Sequence, residues 1–512
     1  MPRVSSQPAA SGSRSAPVRL RPDESDRSAT TTVGNVGVAK ESRLAEVHSF
    51  QRLGRSILFD VGTLQCYQST AAVHAVVAVL RSDPLHWRAV LGERVAEPAL
   101  AAALSALSAA GVLHEAPVAA RERRPALPRR AGIRHLELMV THACNLRCRY
   151  CYGNDGHTGW EGAPHLYGAR EAGMSWDTAR RGVDFLFAAS GRAREVSLVF
   201  FGGEPLLAFR LIRRVVAHAR ERERETGKRV RFSLSTNGVG LTPAVVDFLV
   251  AEDIGCQVSI DGPPALHDRN RVLASGRGSY RQVMRGVERL LARRRGRVPA
   301  RVTVARGEVD LVGTAAHLFA LGFGSVHFEP VIGGGALALD AADLDAFEQQ
   351  MEVLAETLVE HVRAGRVFDV TNLVRHVRQV HRVEQRLAHF CGAARTYLAL
   401  GQDGAFYPCH RFVGMPAYRM GDLGSGFDDG MQRRVLALAV DDRPACRRCW
   451  ARYLCGGGCW KHGVDVHGSL ASPDLAVSCR LIKHQIECAM AVNAALKVDA
   501  DGVTHECPDG GG

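Results

Sequence analysis

Between about Arg134 and Gly335, strand-like apolar runs alternate six times with helix-like stretches, and this alternation constrains the fold more than any other feature of the chain. The runs lie near 135–142, 195–201, 229–235, 256–260, 300–305 and 325–330. Stretches such as Trp176 to Ala189 and Tyr280 to Arg294 separate them, with apolar residues recurring at helical spacing. Strands that return to one sheet after each helix run parallel, and right-handed crossovers let such a sheet curl into a partial barrel. The expected fold class is therefore α/β, with a partial (β/α)6 barrel. Ligands of such sheets gather at the carboxyl ends of the strands.

The segment after the first run reads Cys144-Asn145-Leu146-Arg147-Cys148-Arg149-Tyr150-Cys151-Tyr152, three thiols in a C-x3-C-x2-C loop. Three thiolates leave one iron of a four-iron four-sulfur cluster without a protein ligand, and an open iron can coordinate a small molecule and pass it an electron. A zinc site or three buried thiols would use the same residues. After the second run come Gly202, Gly203 and Glu204: two residues without Cβ let backbone approach a ligand, and the carboxylate can accept from an ammonium. The third run ends in Ser235-Thr236-Asn237-Gly238 and the fourth in Ser259-Ile260-Asp261-Gly262. Asn-Gly and Asp-Gly are also ordinary turn pairs.

The cysteine loop, with aromatic Tyr152 directly after its last thiol, resembles the signature of the radical S-adenosylmethionine (radical SAM) superfamily. The Gly-Gly-Glu segment resembles the one that holds the methionyl ammonium there. The resemblance implies a 4Fe-4S cluster on Cys144, Cys148 and Cys151. It implies S-adenosylmethionine bound by Tyr152, Gly202, Gly203, Glu204, Ser235, Asn237 and Ser259, with the serines and Asn237 on the ribose and carboxylate. One electron, from a donor such as flavodoxin or ferredoxin, would release a 5'-deoxyadenosyl radical that abstracts a substrate hydrogen atom. The sequence names no catalytic proton acceptor; Asp261 is a candidate only by its place at a strand end.

Downstream stand Cys391, Cys409, Cys446-x2-Cys449-x5-Cys455-x3-Cys459 and Cys479, with Gly404 five residues before Cys409. Paired C-x2-C motifs also hold structural zinc. The order resembles the SPASM domain, a C-terminal extension carrying two auxiliary 4Fe-4S clusters, so three clusters are expected in all. That resemblance implies an outer cluster on Cys446, Cys449, Cys455 and Cys479 and an inner one on Cys391, Cys409 and Cys459. Some relatives supply a fourth inner ligand shortly after the first cysteine, whereas Gly392 to Tyr397 offers no thiol here. An open iron there would bind a soft thiolate, so a substrate cysteine could be held and activated.

The stretch Tyr397 to Gly414 also resembles the thioether-forming maturases of cysteine-rich peptides. The maturase of the quinohemoprotein amine dehydrogenase small subunit shares that architecture. The expected activity is thioether cross-linking in a cysteine-containing precursor peptide or small subunit. Formylglycine formation on a sulfatase and a zinc-bearing peptide adaptor without catalysis are the alternatives. Cys66, Cys256 and Cys488 read as buried thiols, although Cys488, on the helical stretch Leu481 to Leu496, could complete the inner cluster. His410 and His462 read as supporting groups rather than ligands.

Residues 1–43, rich in Ser, Arg, Pro and Ala, are expected to be disordered. In 44–118, Val47 to Leu53, Ser56 to Asp60 and Thr63 to Tyr67 read as strands, and Ala71 to Leu80 and Pro98 to Ala110 as helices. This unit resembles a winged-helix-like peptide-recognition element that binds a leader by strand addition; a packing domain without a ligand is the alternative. An Arg/Pro linker (119–133), the barrel (134–370), the SPASM domain (371–498) and a flexible tail (499–512, with Cys507) complete the expected organisation. No apolar run reaches membrane-spanning length and no secretory signal is visible, so a cytoplasmic protein with no membrane contact is expected. Fourteen cysteines in that compartment point to metal ligation. The net charge of +12 is scattered over arginines with few interleaved aromatics, which describes a solvated surface and no nucleic-acid partner.

Overall fold

The computed structural model describes residues 43–83, 86–114, 132–153, 173–333, 335–382 and 385–496. Residues 1–42 of the expected N-terminal disordered segment, most of the Arg/Pro linker and the flexible tail with Cys507 lie outside the described residues, and Arg43, the last residue of that segment, stands in a strand. The chain divides into two compact units, one ending at Glu122 and one beginning at Arg123.

In the first unit, strands Val47–Arg52, Arg55–Asp60 and Gln65–Gln68 form an antiparallel sheet in that order. The third strand starts later than the alternation suggested because Asp60 takes Thr63 into a turn. Its carboxylate accepts from Gly62 N at 2.7 Å and from the Thr63 hydroxyl at 2.8 Å. Helix Ala71–Ser82 is capped by the Thr70 side chain, which accepts from Val73 N. Helix Glu97–Ala109 packs against it. Between them lies Trp87–Gly92, a six-residue helix too short to show a period in the sequence, anchored by buried Trp87 and Leu91. These residues share one core with Leu58, Val76, Val77 and Leu107.

The second unit is built on a nine-stranded sheet. Its first six strands are β1 (His135–Thr141), β2 (Glu195–Gly202), β3 (Arg229–Thr236), β4 (Gly255–Ser259), β5 (Pro299–Val304) and β6 (Ser325–Pro330). Each is parallel to the next, as the alternation requires. Leu136 to Thr141 of β1 are all buried, as expected of a parallel strand covered on both faces. The intervening helices present apolar stripes to the sheet; Trp176–Ala189, capped by Ser175, buries Ala179, Val183, Leu186 and Phe187.

The sheet continues past residue 370. β7 (Asp369–Val370) lies parallel beside β6, β8 (Tyr397–Leu400) parallel beside β1, and β9 (Phe406–Tyr407) antiparallel beside β8. The cysteine-rich stretch is thus tied to the barrel through Tyr397 opposite His135 and Leu400 opposite Leu138. The C-terminal helix Ser478–Leu496 packs on helices Ala341–Arg363 and Thr371–His381. Among the described residues no helix is long and apolar enough to cross a membrane.

Candidate active site

The cysteine loop leaves the carboxyl end of β1 and is braced by the segment after β4. Arg147 N donates to Val272 O at 2.7 Å, Arg149 N donates to Asn270 O at 3.0 Å, and Leu146 bridges Leu273. The Arg147 guanidinium closes the loop on itself by donating to Cys144 O at 2.8 Å. The Tyr150 hydroxyl donates to buried Asp261. Asp261 also receives Arg271 on both oxygens, at 2.9 and 3.0 Å, and Thr303 N at 2.9 Å. Its carboxylate is therefore committed to a permanent cation and two further donors, which makes it a brace for the loop rather than a free proton acceptor.

The end of β2 presses onto the same loop. A Cβ on Gly202, whose φ is 147°, would stand 2.0 Å from Thr141 O, and one on Gly203 would stand 2.3 Å from Ala143 O. Only glycine permits that approach. It lets Gly203 N and Glu204 N donate to Thr141 O and Ala143 O, both at 2.9 Å. Glu204 is 1% exposed and accepts from the Thr236 hydroxyl and Asn237 N, each at 2.7 Å, and from Leu206 N at 3.0 Å. Burial outweighs these donors and pushes its carboxyl up to about 7. The Asn237 side chain donates to Asn145 Oδ1 at 2.7 Å and lies 3.7 Å from Cys144 Sγ.

A cavity of about 800 Å³ opens above these strand ends. Cys144, Cys148, Cys151, Tyr152, Gly202, Gly203, Glu204, Ser235, Asn237 and Ser259 all line it. Burial pushes the Cys144 thiol up to about 11 and the Cys148 thiol up to about 12. Thiols in such a place become thiolates when a metal centre supplies the positive charge. Three of them on one loop, held close to the end of β2 by two glycines, suit a cluster with an open iron. Residues 138–311 match the family model of the Radical SAM superfamily. This chain carries a radical SAM domain. The superfamily uses a 4Fe-4S cluster and S-adenosylmethionine.

Among its relatives is a serine-type anaerobic sulfatase-maturating enzyme of Klebsiella aerogenes, 25% identical over 337 residues, which cover 62% of this chain and 78% of that protein. The mycofactocin maturase MftC of Mycolicibacterium smegmatis is 27% identical over 336 residues, 62% of this chain and 76% of that one. The solved structure of native anSMEcpe with bound AdoMet superposes at a TM-score of 0.60 with 19% identity, covering 71% of this chain and 100% of that chain. It shares the fold.

The downstream thiols fall into two sets whose members act on one another. Burial raises Cys409 well above the usual thiol range, and Cys459 and Cys391 add to the rise; Cys391 is the exposed member. Burial raises Cys479 to about 12, reinforced by Cys455, Cys446 and Cys449. Among the described residues no three His, Cys, Asp or Glu side chains close to single-ion spacing. Cys256 is buried and Cys66 half-buried. Cys488 is buried on the C-terminal helix with its Sγ 3.7 Å from His484 Nδ1.

The cavity lining also carries His410 and His462, which the sequence marked as supporting groups, and Arg301, Glu329 and Arg411, to which it gave no role. Burial would raise Glu329, yet Arg301 at 3.1 Å and His327 at 3.3 Å hold it well below the usual carboxylate range. His410 stacks on Phe201, with ring centres 4.3 Å apart, and its Nδ1 lies 2.9 Å from buried Glu137. His462 pairs with Ser478 at 2.8 Å, and burial lowers it to about 4. Arg411 reaches from Tyr152, 5.5 Å from its ring centre, to Cys459, 4.0 Å from its sulfur. The position of Glu329 at the carboxyl end of β6 was the signal that could have found it.

Proposed function

We propose that this radical SAM enzyme matures a peptide or small protein by forming thioether cross-links between a cysteine sulfur and a carbon of the same chain. One observation carries this reading: Cys391, Cys409 and Cys459 interact as a set of three, and Gly392 to Tyr397 supplies no fourth thiol. A set one ligand short suits a site that accepts a substrate thiolate. Arg411 spans from this set to Tyr152 in the main cavity, so a substrate held at the one would lie within reach of the other. The names of the sulfatase-maturating and mycofactocin relatives support a peptide or protein substrate in the coarser sense.

In this reading Cys144, Cys148 and Cys151 hold the first cluster, and Tyr152, Gly202, Gly203, Glu204, Ser235, Asn237 and Ser259 hold S-adenosylmethionine. When bound, that pair supplies a 5'-deoxyadenosyl radical able to remove a substrate hydrogen atom. Glu204 orients Asn237 and the end of β3 through its hydrogen bonds, and Gly202 and Gly203 seal the loop against the sheet. Cys446, Cys449, Cys455 and Cys479 hold the outer auxiliary cluster. Residues 371–498 act as an auxiliary-cluster domain, residues 44–118 bind the leader of the substrate, and flavodoxin or ferredoxin supplies electrons in the cytoplasm.

The test is anaerobic co-expression with small cysteine-containing peptides encoded beside the enzyme. Mass spectrometry should show a loss of two hydrogens per cysteine and resistance of that cysteine to alkylation. Changing Cys144, Cys148 and Cys151 to Ala should abolish both the product and the cleavage of S-adenosylmethionine. The sulfatase-maturating relative favours formylglycine as the second reading. An aldehyde trapped by hydroxylamine in place of the thioether would establish it and sink the first.

A further inference from the structure

The segment 270–273 lies along the cysteine loop as a short ladder. Arg147 N donates to Val272 O at 2.7 Å, Arg149 N to Asn270 O at 3.0 Å, and Leu146 pairs antiparallel with Leu273. That register sets Arg271 opposite Cys148. Arg271 is 6% exposed, and its guanidinium is fixed from two sides. Asp261 binds Nε at 2.9 Å and Nη2 at 3.0 Å, and the ring of Tyr150 lies 5.4 Å from Cζ. Asp261 is itself pinned by Thr303 N and the Tyr150 hydroxyl, and Arg271 O accepts from the Ser279 hydroxyl at 2.7 Å. A guanidinium held this way cannot swing away, and it remains charged at every accessible pH.

A fixed cation out of water interacts with a neighbouring centre far more strongly than one in bulk solvent, because little solvent screens it. The companion anion Asp261 offsets part of the effect, while the register places Arg271 directly across from Cys148.

We propose that Arg271 sets the reduction potential of the cluster held by Cys144, Cys148 and Cys151. One electron from an external low-potential donor enters the cluster, which gains one negative charge. The fixed cation stabilises that reduced form more than the oxidised one and raises the potential toward the reach of the donor. Asp261 tempers the cation and holds its position. Arg271 acts through the cluster and is a positioning residue in this role.

The inference rests on the assignment of these three thiols to a cluster, and the experiment separates the two. Reconstituted full-length protein is titrated with dithionite and followed by electron paramagnetic resonance. The signal followed is the one altered by S-adenosylmethionine and missing in the variant with Cys144, Cys148 and Cys151 changed to Ala. If wild-type protein shows no such signal, the cluster assignment fails. If it does, Arg271→Met should move the midpoint to a more negative value, Arg271→Lys should retain most of the wild-type value, and Asp261→Asn should move it positive. An unmoved midpoint in Arg271→Met with the signal at full intensity overturns the proposal. Should Arg271→Met fail to load a cluster, an unmoved midpoint in Asp261→Asn overturns it. Loss of the signal in both variants also overturns it, because the pair would then build the site rather than tune it.

Discussion

Glu204 binds its proton more tightly in the folded chain than in the unfolded one. Burial moves its carboxyl from the ordinary value of 4.5 to about 7 despite three donated hydrogen bonds. The folded state therefore holds more protons between those values, and this group's contribution to stability is full below the lower one and lost as pH rises through the upper. Metal-free protein should lose on the order of 3 kcal/mol from this source between about pH 5 and pH 8. Thermal unfolding of wild type against Glu204→Gln checks it: wild type should lose stability relative to the variant as pH rises, and a pH-independent difference would count against the shift. Gly202 and Gly203 illustrate what was legible at this scale. Their lack of Cβ marked a close approach, but the backbone they approach, Thr141 to Ala143, lies sixty residues away in the chain and emerges only from the pairing of β1 with β2.

At the scale of elements, the barrel strands were readable because each carries its own apolar run, and a parallel sheet with short connections follows from their alternation. β8 was not. Its four residues, Tyr397–Leu400, are too few for a period, and their place beside β1 depends on the complementary edge that β1 leaves open. This strand connects chemistry to fold. Tyr397 donates to Glu137 on β1, and Glu137 also accepts from His410 N at 3.1 Å, next to Cys409. Tyr397→Phe would leave the buried carboxylate to His410 alone. It should lower stability by about 1–3 kcal/mol, the cost of an under-satisfied buried acceptor. Anaerobic thermal unfolding measures this, and an unchanged midpoint would show that the hydroxyl contributes nothing. A lower iron content should accompany the loss, since β8 holds Cys409 against the sheet.

At the scale of the molecule, the first unit has a core of its own, built from Leu58, Val76, Val77, Leu91 and Leu107. Removing residues 1–122 should therefore leave the cleavage of S-adenosylmethionine by the second unit intact and abolish turnover of a leader-bearing peptide. Product analysis of the truncated protein beside the full chain measures both. Unreduced peptide turnover would remove the recognition role from this unit. The linear order of residues was enough for the kind of fold, the first cysteine loop and the glycine pair, because local spacing and periodicity carry those. Three-dimensional packing alone assigned Asp261 to bracing, set Arg271 opposite Cys148 and brought Glu329, His410 and Arg411 into the cavity wall. Those roles depend on distance, burial and the partners that consume each hydrogen bond, and such quantities exist only once remote segments meet.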